Sequence, residues 1–205
     1  MRLLPCERMR VVLQIFRFLS LVLGGLVLAL TAPHVVEMPA KLALPPRDYL
    51  LVQRIYPAFG AVSAVLEPAA VAAVLVLTLL VRRSRAFRPA LVAALCFIAA
   101  LLILVAVVIP VDVHWRPGGS LDIPDNFDSL RVRWELGQAL RAALALAGFV
   151  SLVIAVLIDV SSTAAAAVKV TVPQATRTNA AEATAQTANE NAADVIIPPD
   201  KDAVA

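Results

Sequence analysis

Residues 90–109 read ALVAALCFIAALLILVAVVI, an uncharged run closed at either end by Pro89 and Pro110, and this stretch decides the fold. A helix of about twenty apolar residues crosses the roughly 30 Å hydrocarbon core of a bilayer. Three more runs of that length lie at 11–32, 60–81 and 136–158, and the stretches around Gly25, Val74 and Val150 are nearly as bare of charge. Pro33 and Pro57 stand at or near the edges of the first two, where a missing N–H does least harm. The whole chain agrees: 60% of its 205 residues are apolar and 16% charged, against roughly 45–50% and about 25% in a soluble domain. A globule of this size cannot bury that excess, which excludes a soluble enzyme, a disulfide-stapled secreted domain and a disordered chain. The expected fold is all-α: an integral membrane antiparallel four-helix bundle with a disordered C-terminal tail.

The first run has two readings. Basic residues precede it and Ala29-Leu30-Thr31-Ala32 resembles a small-residue cleavage site. Pro33 would block cleavage and the run is long for a signal peptide, so an uncleaved span is expected. Arg2, Arg8, Arg10, Arg82, Arg83, Arg85 and Arg88 flank apolar runs, so the net charge of +3 and pI near 9.2 point to headgroup anchoring and not to nucleic acid. The density of the Arg82–Arg88 cluster, set against Lys41, Arg47, Arg54, Arg116, Arg131 and Arg133 on the other side, favours a cell-membrane protein with both termini cytoplasmic. Cys6 and Cys96 are too few for a disulfide framework.

The chain thus divides into a transmembrane domain, 1–160, and a tail, 161–205. The tail is rich in Ala, Thr and Asn, has Pro173, Pro198 and Pro199 and lacks aromatic residues, so it cannot bury enough apolar surface to offset its ordering entropy. Within the domain, lipid gives helices no hydrophobic reason to associate, and small residues must supply close contact. Ala139, Ala143, Ala147, Ser151 and Ala155 recur every four residues, Ala61, Ala69 and Ala73 repeat the idea, and Gly24-Gly25 adds to it; these are the expected packing stripes.

Ionisable residues inside spans mark either a functional interior or an end that reaches water. Arg17 is close enough to the start of the first run to snorkel. Glu67 lies seven residues past Gly60 and Arg141 five past Leu136, depths measured from the same side whichever way the protein inserts. Opposite charges at matched depth predict an ion pair or a shared polar cavity; the alternative is a protonated glutamate and a snorkelling arginine. Pro68 leaves the Ala64 carbonyl without its usual donor. More polar residues gather at the same end. His34 and Glu37 share a helical face, and Trp134, Gln138 and Arg141 form a stripe at the start of the fourth run, where tryptophan also suits interfacial anchoring. The last connector adds His114, Trp115, Asp125, Asn126 and Asp128, with a turn at Pro117-Gly118-Gly119. Residues 46–59 carry Tyr49, Gln53 and Tyr56 on one stripe, which fits either a surface helix lying over this polar end or an extension of the second span bent at Pro57.

No nucleophile motif, phosphate-binding glycine loop or cysteine metal signature is present. His34, Glu37, Glu67 and His114 include metal-ligating types, but without a repeated Glu-x-x-His motif no metal is expected. The segments His34-Val-Val-Glu37-Met-Pro39-Ala-Lys41-Leu42-Ala-Leu44-Pro45, Tyr49-Leu50-x-Val52-Gln53-x-Ile55-Tyr56, Leu66-Glu67-Pro68 and Leu130-Arg131-x-Arg133-Trp134-Glu135-x-Gly137-x-x-Leu140-Arg141 resemble the anthrone-oxygenase-like family of small four-span membrane proteins. The resemblance covers about residues 11–160. Many bacterial members are of unknown function, and characterised fungal relatives oxidise anthrones with molecular oxygen, without metal or flavin.

The resemblance therefore implies no cofactor. It implies His34 or Glu67 as the base that makes a substrate carbanion, Arg141 as the electrostatic stabiliser, and Trp115 and Trp134 as walls for a flat substrate. Glu37, Asn126 and Gln138 complete the candidate binding residues. The chain departs from the family pattern in two places: Asp112 and Asp125-Asn126 stand where many members show Pro-x-Asn-like motifs, and Gln138 stands where histidine is frequent. The competing expectation is a non-catalytic protein that binds a lipid or small hydrophobe from the bilayer or packs against a membrane partner. A transporter comes third, for want of an inverted repeat.

Overall fold

A computed structural model describes the backbone of residues 5–115 and 123–193 and the side chains of 7–114 and 123–161. It contains α1 (Pro5–Leu42), α2 (Pro46–Gln53), α3 (Pro57–Leu80), α4 (Phe87–Ile103), α5 (Ile109–Trp115) and α6 (Phe127–Ala193), and no strand among the described residues. Four stretches, Glu7–Leu42, Pro57–Leu80, Phe87–His114 and Phe127–Ser161, are long and apolar enough to cross a membrane. The chain divides into two units at Asp159/Val160. The second is helical through Ala193, and its side chains beyond Ser161, like those of Cys6 and Trp115 and the turn at 117–119, lie outside the described residues.

In the first unit α3 packs on α1 and α4, around a core of Ala70, Ala73, Val74, Leu77, Ala90, Ala93, Ala94, Phe97, Ala145, Leu152 and Ala155. Large apolar side chains such as Leu79, Leu95, Leu102 and Leu157 point outward instead, as a lipid-facing surface requires. Small residues do make the close contacts, and of the expected stripes Gly24, Ala73 and Ala155 are buried while other members are not. Ala61, Ala69, Ala143 and Ala147 are exposed, and the buried face of α6 runs through Gln138, Arg141, Ala142, Ala145, Gly148, Leu152 and Ala155. The reason is geometric: steps of four residues overshoot a 3.6-residue turn by about 40°, so a strict four-residue stripe winds off the interface while alternating steps of three and four stay on it.

The helix boundaries at Pro33 and Pro110 and the start of the fourth span, at Phe127 and not near Leu136, differ from expectation, and the alternatives left open for residues 46–59 are resolved. Pro33 lies inside α1, which runs on to Leu42 and carries Glu37 and Lys41 with it. Pro110 does not end the third span either. Its ring crowds the Ala106 carbonyl and it offers no N–H to it, and the chain absorbs this in a π-helical turn, Leu104–Val108, before continuing as α5. Residues 46–53 form a separate short helix, with proline at the start of both α2 and α3. It buries Tyr49 and Leu50 and leaves Leu51 exposed.

Arg17 has a partner within the protein. It donates through Nε, at 3.0 Å, and Nη2 to Asp159, linking α1 to α6 at the end of the bundle opposite the polar cluster. At Gly148 a Cβ would lie 3.0 Å from the Cys96 Cβ and 3.3 Å from the Phe97 ring. We expect Gly148→Leu to destabilise the protein in detergent by about 1–3 kcal/mol, and Ala147→Leu, on the lipid-facing side, by less than about 0.5 kcal/mol, as read by thermal or denaturant unfolding.

Candidate functional site

The polar end is assembled from five pieces of chain, of which α3 supplies Glu67. Because α1 stays helical past Pro33, His34, Glu37 and Lys41 fall on one face. The first turns of α6 present Trp134, Glu135, Gln138 and Arg141 opposite them, α2 and its junction with α3 supply Tyr49, Gln53 and Tyr56, and α5 supplies Asp112.

The inner layer is the ion pair expected from depth. Arg141 donates Nη2 to Glu67 and Nη1 to Gln138, and both members of the pair are 3% exposed. An outer layer was not foreseen. The Lys41 ammonium stands 2.8 Å from Glu135 Oε1, both side chains buried. The Tyr49 hydroxyl donates to the same oxygen at 2.9 Å and accepts from Gln53 Nε2 at 3.1 Å. Lys41 also lies 4.2, 4.8 and 5.5 Å from the ring centroids of Trp134, Tyr56 and Tyr49, a favourable setting for a cation that has left water. Trp134 donates Nε1 to Asp112 at 2.9 Å. His34 sits between Trp134, edge-on at 5.3 Å, and Tyr56 at 4.9 Å, and the Tyr56 hydroxyl donates to Glu37.

Two spaces adjoin this cluster. The inner one, about 30 Å³, is lined by His34, Tyr56, Phe59, Ser63, Asp112, Trp134, Gln138 and Arg141 among others; it has room for a water or a diatomic gas and none for a ring system. The outer one is a groove of about 360 Å³ lined by Glu37, Ala40, Lys41, Leu44, Val52, Ile55, Tyr56 and Phe59. Tyr56 and Phe59 belong to both. Among the described residues, buried side-chain atoms without a partner concentrate here: His34 Nδ1, Gln53 Oε1, Arg131 Nε, Glu135 Oε2 and Arg141 Nε, with Ser20 Oγ the exception. Unsatisfied groups cost stability, and their concentration at one end sets that end apart from the packed bundle.

The structure therefore brings His34, Glu37, Glu67, Trp134, Gln138 and Arg141 to one end. Asn126 is exposed at the start of α6, where its carbonyl accepts from Ser129 Oγ at 2.8 Å, and it lines neither space; the Trp115 side chain lies outside the described residues. His114 is exposed and bonds the Pro110 carbonyl at 2.7 Å. No group of three His, Cys, Asp or Glu converges on a metal position among the described residues. No protein-family model matches the chain, and neither does any curated protein or any solved structure.

Tyr49 and Tyr56 are the chain's two tyrosines. Burial raises the pKa of both above the ordinary 10.0, and the carboxylates they bond, Glu135 and Glu37, raise it further. Each binds its proton more tightly in the fold than in the unfolded chain, so stability is complete below the ordinary value and falls as pH climbs above it. We expect tyrosinate absorbance to stay flat to about pH 11 and then to rise together with unfolding, whereas free tyrosines would be mostly ionised by then. A titration midpoint near the ordinary value in folded protein would show that these hydroxyls are not held as described.

Proposed function

We propose that this protein draws a small hydrophobic molecule from the bilayer into the groove at its polar end, with the His34, Lys41 and Arg141 cluster behind it positioning that molecule. The groove's size is the observation that carries the reading: about 360 Å³ falls within the roughly 300–1,000 Å³ of small-molecule sites. Its walls are mostly apolar, and its inner wall, Tyr56 and Phe59, is shared with the polar cavity. Following the arginine density at Arg82–Arg88, we assign that end and both termini to the cytoplasmic face of the cell membrane, so that the groove opens toward the other face.

A second reading, a cofactor-independent oxygenase, is favoured by the resemblance to the anthrone-oxygenase-like proteins and by one atom. His34 Nδ1 is buried, has no hydrogen-bond partner in the protein and belongs to a ring lining the inner cavity; a base needs such a free lone pair. Glu67 is a poorer base, because Arg141 already engages it. In this reading the substrate's acidic CH2 gives one proton to His34, and the carbanion adds dioxygen to form a hydroperoxide. Loss of the second C–H proton with cleavage of the O–O bond leaves one oxygen as the new carbonyl and the other, with both protons, as water. The inner cavity cannot hold the substrate's rings, so the reacting carbon must enter from the groove past Tyr56.

Both readings are testable with purified protein in lipid nanodiscs. We expect anthracene to accept energy saturably from the chain's tryptophans, Trp115 and Trp134, and Ala40→Phe, which fills the exposed wall of the groove without adding a donor, to weaken that binding at least about tenfold. Unsaturable transfer, or no effect of the substitution, would rule the groove out. Oxygen uptake with anthrone should fall in His34→Ala if the second reading holds, and an unchanged rate would remove it.

A further inference from the structure

We infer that the groove selects a hydrophobic cation, such as a quaternary or protonated amine carrying an apolar group, and binds its positive centre at Glu37. The inference rests on reading the groove as a ligand site and adds the class of ligand.

Two charged residues line the groove, Glu37 and Lys41, and they are not equivalent. The Lys41 ammonium is buried, 2.8 Å from Glu135 and covered by Trp134 and Tyr56. Its charge is already balanced and its aromatic contacts are made. Glu37 lies on the exposed side, one turn of α1 earlier, where, among the described residues, its hydrogen bond comes from the neutral Tyr56 hydroxyl through Oε2. The carboxylate therefore keeps acceptor capacity and an unbalanced negative charge at the groove wall. Among the deeper groups, Arg141 is matched by Glu67. Of the two charged side chains lining the groove, Glu37 is therefore the one without an ionic partner among the described residues.

The remaining walls suit the rest of such a molecule. Ala40, Leu44, Val52 and Ile55 are apolar, and Phe59, 41% exposed, presents an aromatic ring of the kind that attracts cations when partly desolvated. Depth fits as well. A cationic amphiphile rests in a bilayer with its charge at headgroup level and its apolar part below, and Glu37 lies near the end of the first span. A hydrophobic anion meets the opposite conditions, since no unbalanced cation lines the groove.

The test is the binding of phenyltrimethylammonium and of its uncharged isostere, tert-butylbenzene, to the full chain in nanodiscs of zwitterionic lipid, measured by calorimetry and saturation-transfer NMR. We expect the cation to bind at least about tenfold more tightly than the isostere, and Glu37→Gln to bring the two within about threefold. A glutamine carbonyl can still accept from Tyr56, so this variant should fold, and unchanged circular dichroism and thermal unfolding will show it. Ala40→Trp should abolish binding of both molecules. Equal binding of the two by the natural chain, or selectivity that survives Glu37→Gln, would overturn the charge selection while leaving the groove as a ligand site. Binding of neither would overturn the groove reading itself and this inference with it. Binding of both that Ala40→Trp leaves intact would place the site elsewhere and also overturn the inference.

Discussion

Glu67 and Arg141 are opposite charges on different helices, both cut off from water, and the architecture of the polar end depends on their meeting. Neither has a cheap alternative within an apolar span. A lone carboxylate or guanidinium there must be neutralised or must drag water in, and removing one partner of a buried pair is more damaging than replacing both. The pair therefore fixes how far α6 can slide or rotate against α3. That register places Gln138 and Trp134, one and two turns earlier on α6, beside Tyr56 and His34. Lys41 and Glu135 repeat the device one layer out, between α1 and α6, and Arg17 with Asp159 does the same at the far end. Charge pairs thus help set the register of helices whose contacting faces are rich in alanine and therefore geometrically permissive.

This arrangement puts the groove and the unsatisfied polarity in the same place. Most of the bundle is closely packed and its outward side chains match lipid. At one end the rings of Trp134, Tyr49, Tyr56 and His34 separate charges from one another, and a ligand-sized groove opens against them. Two breaks in helical regularity shape that end. The α2–α3 junction brings Tyr56 between the groove and the inner cavity, and the π-helical turn before α5 precedes Asp112, which accepts from Trp134.

The four spans and the polar end were legible because hydropathy and depth are nearly one-dimensional properties. Counting from the edges of apolar runs was enough to match Glu67 with Arg141. The Lys41–Glu135 pair escaped the same count because both residues stand outside the runs 11–32 and 136–158, where charges are ordinarily hydrated. Only a helix that continues through Pro33, and one that begins at Phe127, carry them into the protein. The spacing of His34, Glu37 and Lys41 on one helical face held the signal. Asp112 was hidden by Pro110, which reads as a terminus and proves to be the site of a π-helical turn. Asp159 lies one residue past the expected end of its run, so Arg17 had no visible partner. The packing stripes held at Gly24, Ala73 and Ala155 and failed at their exposed alanines, since repeats of four do not follow a 3.6-residue helix over several turns.

The role of the buried pair is tested most directly by a double-mutant cycle on denaturant unfolding in detergent, with Glu67→Leu, Arg141→Met and the two combined. The account predicts that each single substitution costs about 3–5 kcal/mol and that the double variant recovers most of that loss, a strong coupling between the two positions. Single effects that simply add in the double variant would contradict it.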